Sequence, residues 1–382
     1  MFLDQVFTFD QLSMTSVDGK EIQTGAILKE NGDVLIRLYL PEAMQVSVEV
    51  SVSRFVGAKV ALDKLPNGLF EGIIPFQENM TGNANVVVTV DGRKQILQDL
   101  PLIWQANRPR NAIEIPDPEG DYYLLQNVPH GHFIRDIFWA KSMSNWEHCY
   151  VYAPAEYMNS TKEYPVLYLI EGGGDNETTW EYVGRLTNIM DNLIAAGKAE
   201  PMLVVMCNLM LREGGHVSSF DIHNCDQIDR AFEHMLIDSC IPYIESHYRI
   251  KTGKWNRAIA GLSLGSYITN DIALGNPEVF GYVGHFTACL ATNLEPKYSY
   301  ERPWKQVLKK GADFFSENYR VFFRSTTSQE DHLEFYEEDS RLFAEAGIDQ
   351  LPCYHCLLYP ARITKWNSWR MGLRDFAQLI FK

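Results

Sequence analysis

Gly261-Leu262-Ser263-Leu264-Gly265 is a G-x-S-x-G run that follows the apolar stretch RAIAGL (257–262) and opens a helical pattern. A serine on a tight strand-to-helix turn projects its hydroxyl above a sheet, where it can attack a carbonyl carbon. Glycines two before and two after it let strand and helix approach without a Cβ clash. The backbone N–H of Leu264, at the start of the helix, would face the oxygen on which negative charge develops. The run Gly172-Gly173-Gly174, directly after PVLYLI (165–170), offers a second set of backbone donors. The plain alternatives are a turn with a structural serine and an ordinary loop. Both loops leave the C-terminal ends of predicted strands, where open α/β sheets place their sites, and that agreement favours the chemical reading.

A serine is inert without a base, so an acid and a histidine are expected further along the chain, in that order. Asp331, in STTSQEDHLEF just after the apolar run RVFFRS, is the candidate acid, with Glu330 beside it; a solvated acidic loop is the alternative. The histidine belongs in the loop before the last helix, which reads PARITKW (360–366) and contains none. His332, next to the acid, and His216, in the long segment after MLVVMCN, are the candidate substitutes; His223 shares that segment. A lone histidine is more often structural. The expectation is that the imidazole of His332 or His216 lies within about 4 Å of Ser263 Oγ.

These groups need elements to hold them. PVLYLI (165–170), MLVVMCN (202–208), RAIAGL (257–262) and RVFFRS (320–325) are near-continuous apolar runs, as strands covered on both faces should be. Between and after them lie helical patterns at 180–197, 227–247, 264–275 and 333–346, then a strand at 353–359 and a helix at 367–381. This alternation predicts an α/β domain with a mostly parallel sheet over 121–382. Before it, VLIRLYL (34–40), VSVEVSV (46–52), FEGIIPF (70–76) and NVVVTVDGRKQIL (85–97) alternate or run apolar, with Asp91-Gly92 as a hairpin turn. Residues 1–106 therefore read as a small β-sandwich, and the proline- and charge-rich 107–120 as a linker.

Composition limits the remaining classes. The 382 residues are 46% hydrophobic and 22% charged, so the chain is globular rather than disordered. A formal charge of −15 opposes nucleic acid or an anionic membrane as partner. No apolar run reaches the ~18 residues of a membrane helix. The N-terminus lacks a signal-peptide pattern, and seven scattered cysteines suit free thiols, which together point to the cytoplasm. Cys353 and Cys356 form a lone C-x-x-C without the second pair of a zinc site, so neither metal nor cofactor is expected. A homo-oligomer is compatible with the chain.

The stretch 121–382 resembles the esterase family that includes feruloyl and acetylxylan esterases (carbohydrate esterase family one) and the enterochelin esterases. The resemblance is carried by NVPHGHF, YPVLYLIEGGGDNETTW, IMDNLIAAGKAEPMLVVM, KWNRAIAGLSLGSYITN, NPEVFGYVGHFT and WNSWRMGLRDFAQLIF. It implies an α/β-hydrolase fold preceded by an immunoglobulin-like β-sandwich. It further implies a serine carboxylic-ester hydrolase that forms an acyl-Ser263 intermediate from a small ester or acylated sugar. By position Ser263 falls on the nucleophile, Leu264, Gly172 and Gly173 on the oxyanion hole, and Asp331 near the acid. Two positions depart from the pattern: Glu171 stands where a histidine usually precedes the glycine run, and Thr364 where the catalytic histidine is expected. Losing the base of a serine triad costs on the order of 10⁴–10⁶ in kcat, while an oxyanion hole alone leaves roughly 10³–10⁴ over water. An acyltransferase is a variant of this chemistry. The competing expectation is a catalytically degraded relative that binds a ligand, a glycan or a protein.

Overall fold

The computed structural model describes residues 12–382 except 54–55, 106–107, 116, 213–214, 217–224, 291, 293–300 and 361–364. Ten strands form the N-terminal part: β1 (Leu12–Val17), β2 (Lys20–Leu28), β3 (Val34–Tyr39), β4 (Val46–Ser51), β5 (Gly57–Lys64), β6 (Leu69–Ile74), β7 (Gly82–Val90), β8 (Arg93–Gln95), β9 (Leu102–Gln105) and β10 (Arg108–Ile115). They pair antiparallel in the order β1-β2-β3-β6-β5-β4-β7-β10-β9, with β8 on β7, and β5 joins the two halves. Valines 46, 48 and 50 of β4 and 86, 88 and 90 of β7 alternate into one core with Ile36, Leu38 and Phe70. Asp91 and Gly92 both take positive φ, as a two-residue hairpin turn requires.

The segment 107–120 is not a free linker. Residues 108–115 are β10, which pairs with β7 and β9, and Asn111 stitches it to the preceding loop by accepting from Leu97 N–H and donating to Leu97 O, each at 2.8 Å. Pro109 misleads because proline is tolerated near the start of a strand, where its missing N–H costs little.

The second part has β11 (His132–Ala140), β12 (Asn145–Ala153), β13 (Val166–Ile170), α1 (Thr179–Tyr182), α2 (Leu186–Ala195) and β14 (Leu203–Cys207). After a two-stranded ribbon, β15 (Leu211–Arg212) and β16 (Gly215–His216), come α3 (Cys225–Met235), a π-helical turn, and α4 (Ile241–His247). Then follow β17 (Arg257–Leu262), α5 (Leu264–Gly275), β18 (Tyr282–Phe286), α6 (Pro303–Asn318), β19 (Val321–Thr327), α7 (Leu333–Glu345), β20 (Tyr354–Tyr359) and α8 (Lys365–Ala377). The sheet order is β11-β12-β14-β13-β17-β18-β19-β20. It is parallel from β14 to β20 and antiparallel at the β11–β12 end, so the sheet is mixed. Each parallel strand from β13 to β19 is buried nearly throughout, which explains the continuous apolar runs. Helices α3 to α7 contribute to the core on one face, α2 and α8 to that on the other.

The two parts share buried contacts. Ala112 of β10 and Ile103 of β9 belong to the same core as Trp366, Trp369 and Leu373 of α8. The fully buried Arg370 guanidinium holds Glu114 of β10 through two hydrogen bonds, 2.7 and 3.0 Å. Asn367 donates to Asp117 at 2.9 Å and packs against Gly82, whose place no residue with a Cβ could take. Helix α8 is thus fixed to the outer face of the N-terminal sheet.

Candidate active site

Ser263 sits between β17 and α5 at φ 51° and ψ −123°, a strained backbone for a residue with a Cβ. The glycines on either side are dictated by contact: a methyl on Gly265 would overlap the Glu171 carbonyl, and one on Gly261 would overlap Gly265. Ser266 ties the start of α5 down by donating its hydroxyl proton to Ala288 O at 2.8 Å. β13 and β17 are parallel neighbours in register Ile170↔Gly261, so the glycine loop and the serine turn lie side by side. A Cβ on Gly172 would come within 3.2 Å of Ser263 Cβ, so the loop backbone reaches the serine because it carries no side chain.

Ser263, Gly172 and Gly173 open into a cavity of about 470 Å³ at the junction of the two parts. Asp331, Lys365, Trp366 and Trp369 line it from the second part, and Asn83, Asn85, Gln105 and Arg110 from the N-terminal sheet. Asp331, beyond the end of β19, is therefore brought to the serine's cavity. Its carboxylate is engaged by a cation: Lys365 Nζ lies 3.1 Å from Asp331 Oδ2 and 3.1 Å from Glu330 Oε1. Burial alone would lower the lysine pKa, but the two carboxylates outweigh it and hold the pKa above the ordinary lysine value. Lys365 is an ammonium here, and an ammonium cannot accept the serine proton.

No histidine lines this cavity among the described residues. His332 is largely exposed at the start of α7, 3.5 Å from Glu334. His216 lies on the β15–β16 ribbon, 3.2 Å from Glu147, whose hydrogen bond raises the imidazole pKa. Neither expected substitute lines the serine's cavity. His285, on β18, is fully buried, and burial pushes its pKa down to about 3. Thr364 and His223 lie outside the described residues.

Glu171 directly precedes the glycine loop. A carboxylate beside an oxyanion pocket would oppose the charge the pocket stabilises. Its side chain does not line the cavity; it is fully buried and accepts the Leu209 N–H at 2.5 Å. Burial raises its pKa well above the ordinary carboxyl value, which favours the neutral form.

Sequence reasoning missed Lys365 and the whole wall from the N-terminal sheet. Nothing local marks Lys365, because its partner Asp331 lies 34 residues earlier in the chain. The wall had a signal in GNANVVVTV: its valines alternate into the sandwich core, which places Asn83 and Asn85 together on the other face.

A run of parallel strands with a strained G-x-S-x-G turn, a glycine loop alongside and a carboxylate beyond a later strand is the arrangement of an α/β-hydrolase fold. Comparison with known proteins narrows the class. The Esterase family model matches residues 140–357, and the chain belongs to that family. It is 34% identical over 265 residues to an endo-1,4-beta-xylanase/feruloyl esterase of Xylanibacter ruminicola, covering 68% of this chain and 35% of that protein. An esterase of Mycobacterium tuberculosis is 31% identical over 141 residues, covering 36% of this chain and 27% of that protein. The chain thus spans about a third of the length of these relatives. Among solved structures, a ferulic acid esterase from Anaeromyces mucronatus superposes with TM-score 0.54 at 21% identity, covering 69% of this chain and 96% of that one. The enterobactin esterase of Shigella flexneri superposes with TM-score 0.62 at 12% identity, covering 90% of this chain and 93% of that one, so both parts share its fold. Among the described residues no helix is long and apolar enough to cross a membrane.

Proposed function

We propose that the chain is a serine carboxylic-ester hydrolase of low turnover, acting on an acylated sugar through an acyl-Ser263 intermediate. The observation that carries this is the strained Ser263 backbone set against the Gly172–Gly173 loop in an open cavity. Strain of this kind costs about 1–3 kcal/mol and persists where the surroundings hold it, as they do at working nucleophiles. Attack by Ser263 Oγ on the ester carbonyl places the oxyanion at the backbone N–H groups of Leu264 and the glycine loop. The alcohol then leaves with a proton, and water releases the acid from the serine. Hydroxide from solvent takes the place of the missing imidazole, so each step is slow. The N-terminal sheet, read as an immunoglobulin-like companion, supplies one wall of the site. The xylanase/feruloyl esterase relationship supports an acylated sugar as substrate.

The ion pair of Lys365 with Asp331 favours a second reading, in which the site binds such a ligand without cleaving it. Hydrolysis of nitrophenyl acetate by wild type and Ser263→Ala separates the two, together with mass spectrometry of the quenched reaction. Turnover above background that vanishes in Ser263→Ala, with an acetyl group on Ser263 in the wild type, supports the hydrolase. Equal background rates and no adduct overturn it.

A further inference from the structure

Strands β13 and β14 are parallel neighbours, so the chain leaves both at the same edge of the sheet. Glu171 and the glycine loop follow β13, and Asn208-Leu209-Met210 follows β14. Each residue of the second segment holds one residue of the first. Leu209 donates its backbone N–H to Glu171 Oε1 at 2.5 Å, just before the glycines. Gly174 donates its N–H to Met210 Sδ at 3.3 Å, at their far end. The Asn208 side chain hydrogen-bonds the Glu177 carboxylate, which His148 of β12 also holds. The holding segment is itself braced, because Asn208 Oδ1 accepts the Met210 N–H at 2.8 Å. Leu209 and Met210 are buried, so water does not compete for these bonds.

The loop amides divide into two sets. Asp175 donates its N–H to Gly172 O at 3.2 Å, closing a turn, and the Gly174 N–H is committed to the sulfur. Among the described residues the N–H groups of Gly172 and Gly173 have no hydrogen-bond partner, and both glycines line the serine's cavity. The loop is therefore held by amides other than those left for a ligand. Gly174 takes φ 85°, a conformation that glycine adopts without strain, so the chain bends at the residue Met210 holds.

The choice of a thioether has a physical reason. Sulfur is a weak acceptor, but in a buried place it separates a satisfied amide from an orphaned one. Methionine is flexible enough to bring that acceptor through an apolar interior. It also adds no charge. A carboxylate in the same position would oppose negative charge developing on an oxygen at Ser263.

We infer that Met210 is a positioning residue of the Ser263 site: its sulfur, with Asn208 and Leu209, fixes the glycine loop where the Gly172 and Gly173 N–H groups face the reacting oxygen. What the loop does there rests on the ester-hydrolase reading, but the hold of Met210 on it can be measured without turnover. Met210→Leu keeps an apolar side chain and removes the acceptor, while Met210→Gln keeps the length and offers a carbonyl oxygen. Hydrogen–deuterium exchange read by mass spectrometry on peptides covering 171–177 is the first measurement. In Met210→Leu those amides should exchange about tenfold faster than in wild type, with β13 and α2 unchanged, and Met210→Gln should return most of the protection. Unchanged exchange in Met210→Leu overturns the inference. So does acceleration spread over the whole domain, or equal acceleration in both variants, since packing alone would then be at work. In hydrolysis of nitrophenyl acetate, Met210→Leu should lower kcat roughly five- to fiftyfold, short of the 10²–10³ lost with a whole oxyanion donor. KM should stay within about twofold, and Met210→Gln should recover most of the loss. A KM that rises at constant kcat overturns the positioning role. A wild type that hydrolyses no ester, yet loses loop protection in Met210→Leu and regains it in Met210→Gln, sinks the hydrolase reading and leaves the hold of Met210 on the loop standing.

Discussion

Lys365 places its Nζ 3.1 Å from Asp331 Oδ2, so the carboxylate expected to orient a base anchors a cation in the serine's cavity. The pair also draws in Glu330, and it sits where β19 and α8 converge. A consequence is visible in the pH dependence of the reaction. Ordinary imidazoles lose their proton near pH 6.5, and a histidine-driven esterase levels off above that range. With hydroxide as the base, turnover of nitrophenyl acetate should climb about tenfold per pH unit between pH 6 and 9. A plateau near pH 7 in the wild-type profile would show that a titrating base does reach Ser263.

Removing the cation should be felt in stability before activity. Lys365→Met leaves Glu330 and Asp331 together without their counter-ion, and both are largely buried. We expect a loss of about 1–3 kcal/mol at pH 7, discounted from a fully buried pair because the lysine keeps some contact with solvent. Sign follows from the raised lysine pKa: the stabilisation is complete at neutral pH and is lost as pH rises through the folded-state value. Urea unfolding of both proteins at pH 7 measures the difference. A variant as stable as wild type would mean that the ion pair contributes nothing.

The same pair suggests how to restore the chemistry. Thr364 directly precedes Lys365 and stands at the position where the family resemblance expects a histidine. Thr364→His combined with Lys365→Met supplies an imidazole and frees Asp331 to orient it. That double variant should hydrolyse nitrophenyl acetate at least tenfold faster than wild type, with Thr364→His alone gaining less. If neither variant gains, Asp331 is not the acid of this site.

How much of this was readable in the chain depends on sequence distance. The elbow was legible because its requirements are local: Gly261, Ser263 and Gly265 lie within five residues, and their neighbours are the strand and helix they join. Four of the six parallel strands, β13, β14, β17 and β19, were legible because burial on both faces writes a continuous apolar run. β11 and β12 were not, since HFIRDIFWA on the sheet edge and NWEHCYVYA beside it mix charges and aromatics. The wall of the cavity was hidden for another reason. Glu114 looks like linker charge until Arg370, 256 residues away, is seen to neutralise it. Nothing near Asn83 in sequence says which surface its face of the sheet will meet.

That long-range pair sets the position of the wall and can be tested directly. Arg370 and Arg185 both approach Glu114, at 2.7 and 3.6 Å, in a site closed to solvent. Removing one member of a buried pair leaves an uncompensated charge and costs about 3–5 kcal/mol. Glu114→Leu should therefore be the most damaging single change, because two guanidinium groups lose their anion. Arg370→Met should cost less, since Arg185 remains beside Glu114, although Val183 O then loses its donor. Chemical unfolding ranks the two. An order reversed from this would place the weight of the contact on the Val183 carbonyl and not on the charge.

Glu171 offers a pH signature that a single substitution isolates. Its folded-state pKa is raised by burial, against an ordinary value of 4.5 in the unfolded chain. Between those two values the folded state binds more proton than the unfolded one, so stability falls as pH rises through that window. Glu171→Gln removes the titration while keeping shape, a carbonyl oxygen for the Leu209 N–H, and neutrality. The variant should match wild type near pH 4.5 and become progressively more stable than it toward pH 8. Denaturant unfolding at a series of pH values reads the gap between the two proteins. A gap that stays constant with pH would mean that Glu171 is ionised in the fold after all. In that case its charge, and not only the absent imidazole, would stand against an oxyanion at Ser263.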